Sequence, residues 1–164
     1  MDEATVGRFV RDDYARVVNA VAMITGDYPA AEDLVQEALA RAWSRRETIE
    51  SLPGWVAVVA LNLSRSRWRR LVAERRAGER LAPGGEVAEP GPEHVDVARA
   101  LAALPRRQRE VAVLRYLLDM STSDVANSLG VSEGTVKSSL AKARSSLAAR
   151  LEVVDVEVGD VEDR

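Results

Sequence analysis

The side chains best suited to chemistry lie in one short stretch near the carboxyl end, LGVSEGTVKSSLAKARSSL, residues 129–147. Its Ser, Thr, Lys and Arg side chains can donate hydrogen bonds to base edges and phosphates in the major groove of DNA. Small residues between them would let a helix lie deep in that groove. The outer face of such a helix would hold Gly134, Thr135, Ser138, Ala141, Lys142 and Ser145, with Lys137 on the flank. The stretch therefore predicts a helix that reads DNA.

The elements that must position this face have the pattern of a helix-turn-helix. One helix is expected over about 122–129 and a second over about 133–150, with a turn at Gly130. Glycine readily adopts the left-handed conformation that closes a helix, and Ser132 is a suitable N-cap for the second helix. The buried stripe of that helix would be Val136, Leu140, Ala143 and Leu147. A plain helical hairpin with a solvated outer face is the structural alternative.

For DNA binding, the distribution of charge along the chain matters more than its total. The net charge of −3 would by itself disfavour binding to a polyanion such as DNA. Residues 41–80 carry a net charge of +6 and residues 99–150 carry +5. The segments 1–40, 81–98 and 151–164 carry −5, −4 and −5. Because the local field decides where an anion binds, the sequence predicts two basic surfaces separated by acidic segments.

Helical periodicity dominates the rest of the chain, and no strand pattern stands out. Apolar residues recur at steps of three and four over 3–25 and 30–45, and again over 53–76, whereas 45–53 is expected to be a loop. The segment 82–93, APGGEVAEPGPE, has three Pro, three Gly and three Glu, a composition typical of a linker. The predicted fold class is all-α, with two small helical domains joined by a flexible linker.

The expected division places the first domain at 1–81, the linker at 82–93, the second domain at 94–151 and an acidic tail at 152–164. The second domain would begin with a short helix ending near Leu104 and continue with a basic helix over 106–118. In the tail, valines alternate with acids over 153–158, which is compatible with a short strand or an acidic amphipathic strip. A frayed, solvated tail is the favoured interpretation.

Several classes of function are disfavoured by composition. There is no Cys and only one His, His94, which lies beside the linker. Neither a phosphate-binding loop nor a cluster of metal ligands occurs in the sequence, so we expect no enzyme activity, no metal and no cofactor. No run approaches the ~20 apolar residues of a membrane span, and the amino terminus does not resemble a secretory signal. A cytoplasmic protein without membrane insertion is expected.

Two parts of the sequence resemble one known family. LPRRQREVAVLRYLLDMSTSDVANSLGVSEGTVKSSLAKARSSL is similar to the fourth region of bacterial sigma-70 family factors. AEDLVQEALARAW, residues 31–43, resembles the family's segment for the clamp helices of RNA polymerase, and GWVAVVALNLSRSRWRR, residues 54–70, resembles its −10 helix. Their order, with only a short linker between them, is similar to the extracytoplasmic-function group.

The resemblance implies a transcription initiation factor that binds core RNA polymerase, directs it to promoters and assists promoter melting. The expected partners are promoter DNA and core polymerase, through the clamp helices of its largest subunit and the flap of the second, and an anti-sigma factor is allowed for. The linker would follow the RNA exit path of the polymerase. The residues expected to bind core polymerase are Asp33, Leu34, Gln36 and Glu37.

The resemblance also assigns residues to promoter DNA. Helix 53–76 and the preceding loop would meet the −10 element through Arg45, Arg46, Asn62, Arg65, Ser66 and Arg69, with a flipped base held by loop 45–53. Helix 133–150 would read the −35 element, where Arg115 and Arg144 would anchor phosphates. The full −35 set is Arg115, Thr135, Lys137, Ser138, Ser139, Ala141, Lys142 and Arg144.

The sequence departs from the family pattern at three places, and alternatives stay open. Ser139 stands where Arg is frequent, Ser66 stands where Asp is common, and loop 45–53 lacks the usual Gly and Ser. A regulator of the response-regulator output type would carry a similar helix-turn-helix but requires an α/β receiver or sensor upstream. An interaction module that has lost DNA binding is a further alternative. The acidic tail is expected, as a hypothesis, to shield the second basic face until core polymerase binds.

Overall fold

A computed structural model of the chain describes residues 2–45, 49–76 and 95–159. These residues form eight α-helices and one π-helical turn: α1 Glu3–Asp12, α2 Tyr14–Thr25, α3 Tyr28–Ser44, α4 Leu52–Arg76, α5 Val95–Ala102, α6 Arg106–Ala112, the π turn Val113–Leu117, α7 Thr122–Leu129 and α8 Glu133–Gly159. No strand occurs within the described ranges, so the predicted all-α fold class is confirmed. The chain divides into two compact units, Met1–Glu89 and Pro90–Arg164.

The first unit is a bundle in which α2, α3 and α4 pack against one another. Its core is made mainly of Val and Ala, which fits the scarcity of aromatic residues in the sequence. The least exposed of these side chains are Val17, Ala20, Val21, Ala31, Val35, Ala38, Ala42, Val56 and Ala60. Small core residues let helices approach closely, so α3 and α4 are held firmly side by side.

The single helix predicted over 3–25 is interrupted. Asp13 leaves helical geometry with φ −120° and ψ −23°, and its amide bonds to the Phe9 carbonyl at 2.9 Å. The carboxylate of Asp13 is an ion-pair partner of Arg16, and the Phe9 and Tyr14 rings meet edge-to-face with centroids 6.3 Å apart. Asp competes with the helical backbone for hydrogen bonds, so a break here is chemically reasonable. Periodicity alone missed it because the apolar spacing continues across the break.

The second unit is built around α6 and α8, which pack against each other, with α7 and α5 also against α8. Five side chains in the core of this unit are fully buried: Val111, Leu114, Val125, Val136 and Ala143. The predicted basic helix 106–118 is not one regular helix, because α6 ends at Ala112 and a π turn follows. A π turn accommodates one extra residue, which rotates the following side chains about the axis by roughly 100°.

The predicted helix-turn-helix is present. Gly130 closes α7 with φ 64°, and Ser132 Oγ accepts a hydrogen bond from the Thr135 amide at 3.1 Å at the start of α8. The backbone of α8 continues to Gly159, nine residues beyond the expected end at 150. The interpretation of residues 153–158 as a short strand is therefore wrong. The tail expected at 152–164 is helical up to Gly159. No described helix is both long enough and apolar enough to cross a bilayer.

Candidate DNA and polymerase interfaces

The outer face of α8 is small, polar and accessible, as predicted for a helix that enters a DNA groove. Thr135, Lys137, Ser138, Ala141, Lys142 and Arg144 are all exposed. The hydroxyl of Ser138 donates to the Thr135 carbonyl at 3.0 Å, which leaves the lone pairs of its oxygen facing outward as acceptors. Mixed donors and acceptors on a face with small side chains suit the major groove.

The structure removes Ser139 from the set of residues predicted to contact −35 DNA. Its side chain is buried, at 8% exposure, between the buried positions Val136, Leu140 and Ala143 of the same helix. Its spacing of three from Val136 and four from Ala143 places it beside the core stripe. The resemblance to the family placed Ser139 in the −35 set, whereas helical spacing left it off the outer face of the helix. The absence of Arg at this position therefore removes no contact that this fold could make without rearrangement.

The predicted phosphate anchors lie on neighbouring elements of the second unit. Arg144 is exposed on α8, and its Nη1 donates to the hydroxyl of Tyr116 in the π turn at 3.2 Å. Arg115, also in the π turn, is half-buried. Tyr116 was not predicted as a site residue, because nothing in the sequence indicates a π turn that would bring it to α8.

The predicted −10 residues of α4 share one face of the helix. Asn62, Arg65, Ser66 and Arg69 are separated by three and four residues, which stacks them on one side. Arg65 donates to Asn62 Oδ1 at 3.0 Å, and Arg69 donates to Ser66 Oγ at 3.3 Å. These bonds orient both guanidiniums along this face of α4.

The residues before α4 are only partly described. The guanidinium of Arg45 lies over the Trp55 ring, 5.4 Å from its centroid, an arrangement that ties the end of α3 to the first turns of α4. Arg46 lies outside the described residues, as does the centre of the predicted base-holding loop 45–53. The expectations about that loop therefore stay predictions.

The four predicted polymerase-binding residues on α3 separate into different environments. Asp33 and Gln36 are exposed, and the Gln36 amide donates to the Tyr14 hydroxyl at 3.3 Å. Leu34 is 2% exposed and belongs to the core of the first unit. It is therefore removed from the residues predicted to bind polymerase. Its spacing with Ala31 and Ala38 already placed it on the apolar face.

Glu37 is engaged within the first unit. One carboxylate oxygen accepts from Arg41 of α3 and the other from Arg67 of α4, both at 2.7 Å. The carboxylate is half-buried and its charge is opposed by two guanidiniums. Glu37 therefore links α3 with α4 in this structure. Arg67 was missed from the sequence because no local pattern connects residues thirty positions apart.

The comparisons with known proteins cover both units. The family model described as Sigma-70 region 2 matches residues 9–74, and the model described as Sigma-70, region 4 matches residues 94–147. The chain is 33% identical over 160 residues to the RNA polymerase sigma-E factor of Streptomyces coelicolor, covering 94% of this chain and 90% of that protein. It is also 33% identical to the ECF RNA polymerase sigma factor SigL of Mycobacterium tuberculosis, covering 94% and 93%.

A solved structure has a similar fold. The sigma factor RpoE from Bartonella quintana, solved in complex with the anti-sigma factor NepR, matches with a TM-score of 0.74. The match covers 93% of this chain and 99% of that chain at 23% sequence identity. At that level of identity the likeness concerns the fold, which is the all-helical architecture described above.

Proposed function

This chain belongs to the extracytoplasmic-function group of the sigma-70 family and directs RNA polymerase to promoters, and on that premise we propose that it holds promoter DNA on two basic helical surfaces. The −35 surface is the outer face of α8 with Arg115 and Arg144. The −10 surface is the face of α4 that carries Asn62 and Arg69. Promoter DNA and core RNA polymerase are the partners of this function.

The observation that carries the −35 assignment is the exposed outer face of a capped helix that follows a tight turn. Lys137, Ser138 and Lys142 are exposed there, while the opposite side of α8 is packed against α6 and α7. Side chains at this end of such a helix can reach base edges, and its cations can reach phosphates. Ser139 is left out of the proposal because it is buried.

The −10 assignment is supported by charge and orientation. Residues 41–80 carry a net charge of +6, and hydrogen bonds to Asn62 and Ser66 hold Arg65 and Arg69 on one face of α4. Ser66, which stands where Asp is common, here accepts from Arg69 without cancelling its charge. A cationic face of this kind attracts either strand of the promoter.

Polymerase docking is proposed for the exposed side of α3, on a smaller set than the sequence predicted. Asp33 and Gln36 remain as candidate contacts because both side chains are exposed. Glu37 contacts polymerase only if its hydrogen bonds with Arg41 and Arg67 persist in the docked complex. An anti-sigma factor belongs to the proposal as a partner with no docking residues assigned.

The response-regulator alternative is not favoured. It requires an α/β receiver or sensor upstream of the helix-turn-helix, whereas residues 9–74 match Sigma-70 region 2 and the described part of that range is helical. Sigma factors are initiation factors and not enzymes, so the proposal includes no catalytic step and no cofactor for this chain. It also places the protein in the cytoplasm, where RNA polymerase acts.

Run-off transcription tests the function directly. The purified chain is mixed with core RNA polymerase and a promoter library, and initiation at specific sites is the expected result. Lys137→Ala should reduce initiation on the selected promoters, because one groove contact is lost. Arg8→Ala, which removes an exposed cation of α1 outside both surfaces, is the matched control. Absence of specific initiation by the wild-type chain would contradict the function itself.

A further inference from the structure

The cation on the flank of the reading helix is held by a neutral tyrosine. Arg144 of α8 donates through Nη1 to the hydroxyl of Tyr116 at 3.2 Å, across the junction between α8 and the π turn. Both side chains are exposed, Tyr116 to 50%. The bond therefore lies at the surface, beside the face proposed to meet DNA, and is not part of the core.

Arg144 has a neutral partner, as Arg69 has in Ser66, whereas several other arginines are paired with carboxylates. Arg41 and Arg67 are paired with Glu37, and Arg106 is paired with Glu110, so in each case a carboxylate opposes the positive charge. A tyrosine hydroxyl fixes the direction of a guanidinium without neutralising it. Such an arrangement suits a cation that must meet an external anion.

The hydrogen-bond chemistry leaves donors for that anion. Because the Tyr116 oxygen accepts from Arg144, its own O–H proton can be donated to a third group. A guanidinium has five N–H donors, and only one of them is used in this bond. A phosphate oxygen placed between the two side chains would receive one bond from each.

The position on α8 fits a backbone phosphate. Lys137 and Arg144 are seven residues apart, so they lie on the same flank of the helix, about 10 Å apart along its axis. Tyr116 lies within the π turn, whose backbone departs from regular α-helical geometry, and its hydroxyl meets Arg144 of α8. The two elements thus meet at the edge of the reading face.

We propose that Tyr116 and Arg144 together form a binding site for one phosphate of the −35 DNA backbone, in which Tyr116 orients Arg144 and donates its own hydroxyl proton to the phosphate. This inference rests on the proposed function of α8. It assigns to Tyr116 a role in positioning the helix on DNA, whereas base recognition belongs to the outer face. The site sets the depth and angle at which α8 enters the groove.

The test uses holoenzyme made with Tyr116→Phe, Arg144→Ala or both changes, on promoter duplexes that the wild-type holoenzyme selects from a library. Tyr116→Phe keeps the ring and removes only the hydroxyl. We expect it to weaken duplex binding by about three- to tenfold, as for the net loss of one ordinary hydrogen bond at a solvent-exposed site. The loss in the double variant should be smaller than the product of the two single losses, because Tyr116 acts partly through Arg144. Tyr28→Phe, which removes a hydroxyl bonded to Asn19 at 3.0 Å in the first unit, is the matched control and should bind like wild type.

A second readout separates phosphate binding from a structural role. Single phosphates of the −35 duplex are replaced in turn by neutral methylphosphonates. At one position the replacement should weaken the wild type most, Tyr116→Phe less and Arg144→Ala least. Thermal unfolding of Tyr116→Phe should match that of wild type.

Three outcomes would overturn the inference: Tyr116→Phe binding within twofold of wild type, multiplicative effects in the double variant, or no phosphate with that order of sensitivity. In each of these cases a wild-type holoenzyme that still selects promoters keeps the proposed function intact. A wild-type holoenzyme that selects no promoter would overturn both.

Discussion

Two glutamates in this chain each accept hydrogen bonds from two arginines, yet they lie in very different surroundings. Glu110 is buried, with its side chain 3% exposed, and accepts from Arg106 at 3.1 Å and Arg107 at 3.2 Å. Glu37 is 37% exposed and accepts from Arg41 and Arg67. Water screens the Glu37 pairs but hardly reaches the Glu110 carboxylate. The same residue types should therefore contribute unequally to stability.

We predict that Glu110→Gln destabilises the fold more than Glu37→Gln does. Loss of charge-assisted bonds at a buried acceptor should cost about 1.5–3 kcal/mol. An exposed pair contributes only about 0–1 kcal/mol. The free energy of unfolding is measured by urea titration, with circular dichroism for Glu110→Gln and tryptophan fluorescence for Glu37→Gln, because Trp43, Trp55 and Trp68 all belong to the first unit. Equal losses in the two variants would contradict this account.

At the scale of elements, local chemistry was readable from the sequence and tertiary placement was not. The turn at Gly130 and the cap at Ser132 were predicted because both depend on a few neighbouring residues. The break at Asp13 and the π turn were missed, since both preserve apolar spacing while changing backbone geometry. Ser139 was assigned to DNA by the resemblance to the family, whereas its side chain is buried in this structure.

Two glycines of the helix-turn-helix should respond in opposite directions to substitution by alanine. Gly130 has φ 64° with no atom within 4 Å of an added Cβ, so Gly130→Ala should cost about 1 kcal/mol through backbone strain alone. Gly134 lies in the first turn of α8, where an added Cβ would meet only Ser132 Oγ at 3.7 Å. Gly134→Ala should therefore stabilise the helix by up to about 1 kcal/mol.

The same Gly134→Ala change should weaken −35 binding, because the new methyl group lies on the face that approaches the groove. Stability is measured by urea denaturation and binding by holoenzyme affinity for a selected promoter duplex. A Gly134→Ala variant that is more stable and binds as well as wild type would show that this face does not approach DNA closely. A stable Gly130→Ala variant would instead contradict the strain argument.

At the scale of the whole molecule, charge is the property that the sequence reports best. The alternation of acidic and basic blocks is independent of any structural detail, and it correctly indicated that a chain of net charge −3 can carry basic faces on α4 and α8. What the sequence did not indicate is that α8 continues to Gly159. Residues 151–159 of the acidic segment are therefore continuous, as one helix, with the proposed DNA-reading face.

That continuity sharpens the hypothesis that the acidic end shields the second basic surface before polymerase binds. Removal of residues 151–164, which carry −5, changes the net charge of the chain from −3 to +2. We predict that the truncated free protein binds promoter duplex more tightly than the full chain. The gain should shrink as salt rises, because screening over about 8–10 Å weakens repulsion between the acids and DNA.

Truncation also shortens α8, so a variant with Glu152→Gln, Asp155→Asn and Glu157→Gln serves as the length-matched comparison. It should show part of the same gain. Unchanged duplex binding by both variants at low salt would rule out shielding, whereas a gain confined to the truncation would assign the effect to helix length.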